Sequence, residues 1–165
     1  CPEVGGDTIW VNMVEAYKNL PDDIKKKVDG LRARSSIEHS FGAVMSPEAR
    51  RKLAADHPPA EHPVVRTHPE TGEKVLNVCS FTTHFVNYHT PENVRFGLDK
   101  SPGASHLLNY LQSQATIPEY QVRFSWQPDS VAIWDNRSTQ HYAVMDYWPA
   151  NRKMERAAIV GDQPY

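Results

Sequence analysis

An imidazole followed closely by two guanidiniums is the arrangement in this chain best suited to chemistry. His141 stands in the run Trp134-Asp135-Asn136-Arg137-Ser138-Thr139-Gln140-His141-Tyr142, with Arg152 eleven residues and Arg156 fifteen residues beyond it. An imidazole binds a divalent metal through either ring nitrogen, and an Arg fork grips carboxylate or sulfonate oxygens in a bidentate way that Lys cannot match. The pairing suggests a metal site that handles small anions. Each part also has a plainer reading. A single histidine on a strand is more often a hydrogen-bonded core residue than a ligand, and two arginines in a polar segment more often pair at the surface with acids such as Asp146 or Glu155. The alternation Arg152, Met154, Arg156 would set both guanidiniums on one face of a strand; their spacing would equally share a helix face.

The other seven histidines carry less. His62 and His68 would share a face if they lay on one strand, but both precede proline, and His-Pro at a strand end more often serves turn geometry than ligation. His57 and His106 read as solvated. His84 and His89 lie five apart, out of strand register.

Around these residues is an ordinary globular composition. A chain of 165 residues suits one domain with a real core, and a formal net charge of −2 gives no reason to expect nucleic acid as a partner. Charged residues make up 23% and hydrophobic ones 39%. No apolar run approaches the roughly eighteen residues of a membrane helix, so no membrane association is expected. Cys1 and Cys79 are too few for a disulfide framework, which makes a reducing cytoplasm the expected setting and Cys79 a small buried hydrophobe. The chain opens on Cys1 and runs at once into structured-looking sequence, as expected of a start inside a domain.

The elements that must position the chemistry can be outlined. Thr8 to Val11 reads as a strand after the Gly5-Gly6-Asp7 turn. Val11, Val14 and Tyr17, then Ile24, Val28 and Leu31, give two helical faces on either side of Leu20-Pro21. Gly30 and a strand-like region follow. Ser46-Pro47-Glu48 starts a helix through Ala55. Val64 to Thr67 and Lys74 to Val78 form a hairpin across Gly72, and Gln121 to Trp126 with Val131 to Trp134 form a second. Ala104 to Thr116 reads as one helix with Leu107, Leu108, Tyr110 and Leu111, and His89 to Gly103 as a long loop with a lid role. Short strands with helices between them fit a β-sandwich or open barrel better than a βαβ sheet.

Five segments in order then match a family. Gly5-Gly6-Asp7-Thr8-Ile9-Trp10, His62-Pro63-Val64-Val65-Arg66-Thr67-His68-Pro69, Phe81-Thr82-Thr83, Trp134 to Ala143 and Arg152 to Arg156 closely resemble the taurine dioxygenase family of Fe(II)- and 2-oxoglutarate-dependent oxygenases. The resemblance runs from Gly5 nearly to the end, and implies a mainly β chain with helical insertions. The expected fold is a double-stranded β-helix, or jelly roll, incomplete at its N-terminal side, with residues 1–165 the C-terminal portion of one oxygenase domain.

Residue by residue, the resemblance makes His141 the distal histidine of an iron-binding facial triad, two histidines and a carboxylate. It gives Arg152, helped by the Thr8 hydroxyl, the far carboxylate of 2-oxoglutarate. Arg156 takes the substrate sulfonate, and Phe41 and Phe81 wall the pocket, though each aromatic has core packing as its plainer reading. Trp134 would stand near the iron. The implied reaction consumes O2 and 2-oxoglutarate and hydroxylates taurine beside the sulfonate, releasing sulfite and aminoacetaldehyde with succinate and CO2. Another alkyl sulfonate or an alkyl sulfate is the alternative substrate, and a non-catalytic β-sandwich the alternative from another class; whether copies form a homo-oligomer is open. One departure matters. The family's other two iron ligands form a His-x-Asp motif upstream of the Gly-Gly-Asp-Thr segment, and no His-x-Asp occurs in these 165 residues. The segment alone is therefore expected to be inactive, with an uncovered sheet edge.

Overall fold

The computed structural model describes residue 2, residues 4–88 and residues 102–165. In chain order the elements are β1 (Thr8–Asn12), α1 (Met13–Lys18), α2 (Asp22–Val28), β2 (Arg32–Ser35), α3 (Ile37–Phe41), α4 (Pro47–Asp56), β3 (Ala60–Pro63), β4 (Val65–Thr67), β5 (Lys74–Leu76), β6 (Thr82–Phe85), α5 (Pro102–Ser113), β7 (Gln121–Phe124) and β8 (Thr139–Ala143). Short 3-10 turns follow α3 and α5.

Local chemistry explains several boundaries. Asn12 ends β1 and caps α1, its side-chain oxygen accepting from the amides of Val14 and Glu15. Ser36 and Ser46 cap α3 and α4 in the same way, and Pro47 supplies the preset φ of a first helical turn. Helix α5 buries Ala104, Leu107, Leu108 and Leu111 along one stripe, while Tyr110 stays exposed. That stripe joins Met13, Val14, Val28, Val75, Leu76 and Phe85 in the hydrophobic core.

Three antiparallel sheets frame this core. One has the order β7-β1-β8, the second β3-β2-β6 with a bulge between Arg34 and Ser35, and β4 pairs β5 as a hairpin. In the first sheet Thr8 faces Phe124 on one side and Ala143 on the other, and Trp10 faces Val122 and His141. With side chains alternating along each strand, Thr8, Trp10, Phe124 and His141 share one face, and Asp7, Ile9 and Arg123 the other. No further strand pairs with β7 or β8 among the described residues.

The structure corrects several expectations. Strand β7 forms, but its partner is β1; the Gln127-to-Ser130 turn is present, yet residues 131–134 are not a strand and Val131 and Ile133 are exposed. The segment from Arg152 to Val160 is neither strand nor helix, because alternation makes a strand only where a neighbour completes the ladder. His62 and His68 lie on separate elements, His62 within β3 and His68 just after β4. Cys79 is half-buried and free. The long loop expected at His89 to Gly103 falls, up to residue 101, outside the described residues. No described helix is long and apolar enough to cross a membrane.

Candidate active site

The shared face of β7, β1 and β8 carries an aromatic cluster. Trp10 lies with its ring centroid 5.2 Å from Trp134, 6.1 Å from Trp126 and 6.1 Å from Phe124. His141 sits at the rim, 5.2 Å from Trp134 and directly opposite Trp10 across the ladder. Desolvation, and secondarily the positive charge of Arg156, push the His141 imidazole below its ordinary pKa. The residue as a whole remains exposed. A neutral imidazole is the form that binds a metal.

Arg152 is fixed on the same face. Its Nε donates to the Gly6 carbonyl at 2.7 Å and one terminal nitrogen to Thr8 Oγ1 at 3.1 Å. Thr8 is buried and also accepts from Trp126 Nε1 at 2.9 Å. Among the described residues no carboxylate pairs with Arg152 or Arg156, and Asp146 is engaged elsewhere, by Arg123 and the Gly6 amide. The surface ion-pair reading of the two arginines therefore fails. A half-buried guanidinium held by neutral oxygens keeps its full charge for an anionic ligand.

Thus Thr8 and Arg152 are brought together by a hydrogen bond, and His141 and Arg156 by electrostatic reach. Phe41 and Phe81 also meet, with ring centroids 5.8 Å apart, but beside the second sheet: Phe41 ends α3, and the Phe81 carbonyl accepts from Ser36 N. Phe41 is exposed and Phe81 half-buried, so neither is a core filler.

Two networks around the site went unread in the sequence. The buried His68 takes the amides of Glu70 and Thr71 on Nδ1, which leaves Nε2 to donate to Asp135 at 3.1 Å. Its His-Pro turn role holds, and it also ties the β4–β5 turn to the run that precedes His141. Asp135 receives Arg137 through both its amide and its guanidinium, and its backbone carbonyl takes the Thr139 hydroxyl at the start of β8. Arg137 holds the Asp135 carboxyl well below the ordinary range. The second network, Asp7–Arg123–Asp146, lies behind the Gly5-Gly6 turn. The pair of glycines was the available signal.

The residues present fit one part of an iron and 2-oxoglutarate centre fully and the other in part. Arg152, hydrogen-bonded to Thr8 and without a carboxylate partner among the described residues, could hold a carboxylate. For the metal, no group of three His, Cys, Asp or Glu is placed to hold an ion among the described residues, so of the expected facial triad only the imidazole of His141 would be available here.

Known proteins are similar to this chain. A curated alkylsulfatase of Acinetobacter baylyi is 38% identical over 98% of this chain and 50% of its own length. An alpha-ketoglutarate-dependent sulfate ester dioxygenase of Pseudomonas putida is 35% identical over 99% of this chain and 53% of its own length. The chain thus spans about half the length of these relatives. Among solved structures, a taurine dioxygenase from Burkholderia xenovorans superposes with TM-score 0.67 at 37% identity, over 91% of this chain and 45% of that one. The enzyme AAD-2, in complex with Mn(II) and N-oxalylglycine, superposes with TM-score 0.76 at 26% identity, over 99% of this chain and 61% of that one. These likenesses identify the three small sheets as part of the jelly roll of such dioxygenases. With residues 1–158 matching the model of the taurine catabolism dioxygenase TauD, TfdA family, whose enzymes depend on Fe(II) and 2-oxoglutarate, the chain belongs to that family.

Proposed function

We propose that the protein containing this chain is an Fe(II)- and 2-oxoglutarate-dependent dioxygenase that hydroxylates taurine on the carbon beside sulfur. The products are sulfite and aminoacetaldehyde, with succinate and CO2 from the co-substrate. The observation that carries this reading is Arg152: a guanidinium free of any described carboxylate, fixed to Thr8 and Gly6 on the face that also presents His141. His141 would hold the metal through its imidazole. Iron and 2-oxoglutarate together supply the oxidising power when bound. Arg152 and Thr8 would bind the far carboxylate of 2-oxoglutarate and fix the orientation of the co-substrate. Arg156, near enough to His141 to shift its titration, takes the sulfonate and sets the distance from the reacting carbon to the oxidant. Phe41 and Phe81 present apolar walls, and Trp134 screens one side of the His141 ring from water.

A second substrate reading is an alkyl sulfate ester. It is favoured by the named activities of the two curated relatives. A sulfonate and a sulfate monoester offer Arg156 the same oxygen fork, but hydroxylation beside sulfur expels sulfite, whereas hydroxylation beside the ester oxygen expels sulfate. Turnover of the full-length protein on taurine, a longer alkyl sulfonate and an alkyl sulfate separates the two. Sulfite from taurine is the expected result; sulfate from the ester with no sulfite from taurine would move the assignment to the second reading. In the same assay, Arg156→Ala is expected to raise the KM for the sulfur substrate by about tenfold, as for a lost charge-assisted contact, and to leave that for 2-oxoglutarate within about threefold.

A further inference from the structure

We infer that Asp146 is a positioning residue for 2-oxoglutarate. Through the backbone of Gly6 it holds Arg152 where the guanidinium meets the far carboxylate, an inference that rests on the reading of Arg152 given above. Arg152 lies in a segment without regular structure, so nothing in its own backbone ladder fixes the side chain. Its Nε is anchored on the Gly6 carbonyl. The preceding peptide, across the Gly6 Cα, is held in turn, where the Gly6 amide donates to Asp146 Oδ1 at 2.8 Å.

Asp146 is itself clamped. Arg123 donates through one terminal nitrogen to Asp146 Oδ2 at 3.1 Å and through Nε to Asp7 Oδ2 at 2.6 Å. Asp7 and Arg123 share the face of the sheet opposite Thr8 and His141, while the Asp7 carbonyl accepts from Val144 N at 2.9 Å. The chain of contacts thus runs from behind the sheet, through the two peptides that meet at Gly6, to the anion-binding face in front.

The two glycines are what allow this approach. Both have positive φ, 79° for Gly5 and 71° for Gly6. A Cβ on Gly5 would stand 2.6 Å from Asp146 Oδ1, and one on Gly6 would stand 3.1 Å from Arg152 Cδ. Side chains here would displace the carboxylate on one side and the guanidinium on the other. Asp146 touches no reacting atom, and its effect passes through Arg152.

The test is a double-mutant cycle on the full-length protein, with N-oxalylglycine in the presence of Mn(II) as the probe and calorimetry as the readout. Asp146→Ala is expected to weaken N-oxalylglycine by about tenfold, the scale of one lost hydrogen bond to a charged group. Asp146→Asn, which keeps an oxygen for the Gly6 amide, should stay within about threefold. The affinity for Mn(II) alone should not change. In an Arg152→Ala background Asp146→Ala should add less than about a factor of two, because the side chain it positions is gone. If Asp146→Ala does not fold, Arg123→Gln, which frees Asp146 without touching Gly6, carries the same cycle with a smaller loss. Wild-type affinity in Asp146→Ala, an undiminished loss in the Arg152→Ala background, or a parallel fall in Mn(II) affinity overturns the inference while Arg152 keeps its role. Unchanged N-oxalylglycine affinity in Arg152→Ala alone overturns the reading of Arg152, and this inference with it.

Discussion

Replacing Arg152 by alanine is expected to weaken 2-oxoglutarate binding about a hundredfold, the worth of a bidentate, charge-assisted contact to a carboxylate in a partly dry site. The magnitude follows from what surrounds the side chain. Its partners are a carbonyl and a hydroxyl, both neutral, so none of its charge is spent within the described structure. Lysine would recover only part of the loss, since an ammonium cannot keep Gly6, Thr8 and a ligand carboxylate in one planar fork. Affinity for taurine should change by no more than about threefold, because the sulfonate is assigned to Arg156. Equal losses for both ligands would show that the two arginines form one undivided anion site.

The second large effect is on stability. Asp135→Ala is expected to lower unfolding free energy by about 2–3 kcal/mol, below the figure for a fully buried pair because the carboxylate is partly exposed. The loss leaves the buried His68 Nε2 without an acceptor and releases Arg137 and the turn ahead of β8. The pH dependence has a definite sign. With its folded pKa well below the ordinary carboxylate value, Asp135 contributes its full stabilisation above that ordinary value and loses it as pH falls through the folded one. The wild-type protein should therefore lose stability in that acid window more steeply than Asp135→Ala, in denaturant titrations at stepped pH. Parallel acid limbs for the two proteins would show that the ion network contributes nothing in solution.

What could be read from the sequence was whatever is encoded locally. The serine ahead of Pro47, the β4–β5 hairpin around Gly72 and the leucine stripe of α5 are each set by residues within a few positions of one another, and each formed as expected. Pairing across distance was not legible in that way. Gln121 to Phe124 is a strand by composition, yet its pairing with β1, more than a hundred residues earlier, is something that periodicity does not record. The site divides similarly. His141, Arg152 and Thr8 were named from motif resemblance, and the Thr8–Arg152 contact is consistent with their roles. Asp146 entered only as an acid near the arginines. Its partners, the Gly6 amide and Arg123, are set by a turn geometry and a strand register that no single residue type announces.

Every residue from Val144 onward lies outside helix and strand, yet this stretch carries both arginines. Arg152 rests on the sheet by two hydrogen bonds, while the core is built from α1, α2, α5 and the strands. Fold robustness and ligand capture are therefore nearly independent properties of this molecule. A variant library ranked by melting temperature would retain chains unable to hold the co-substrate. Ranking by the extra stabilisation that a bound keto acid confers would find them, since that increment reports binding directly.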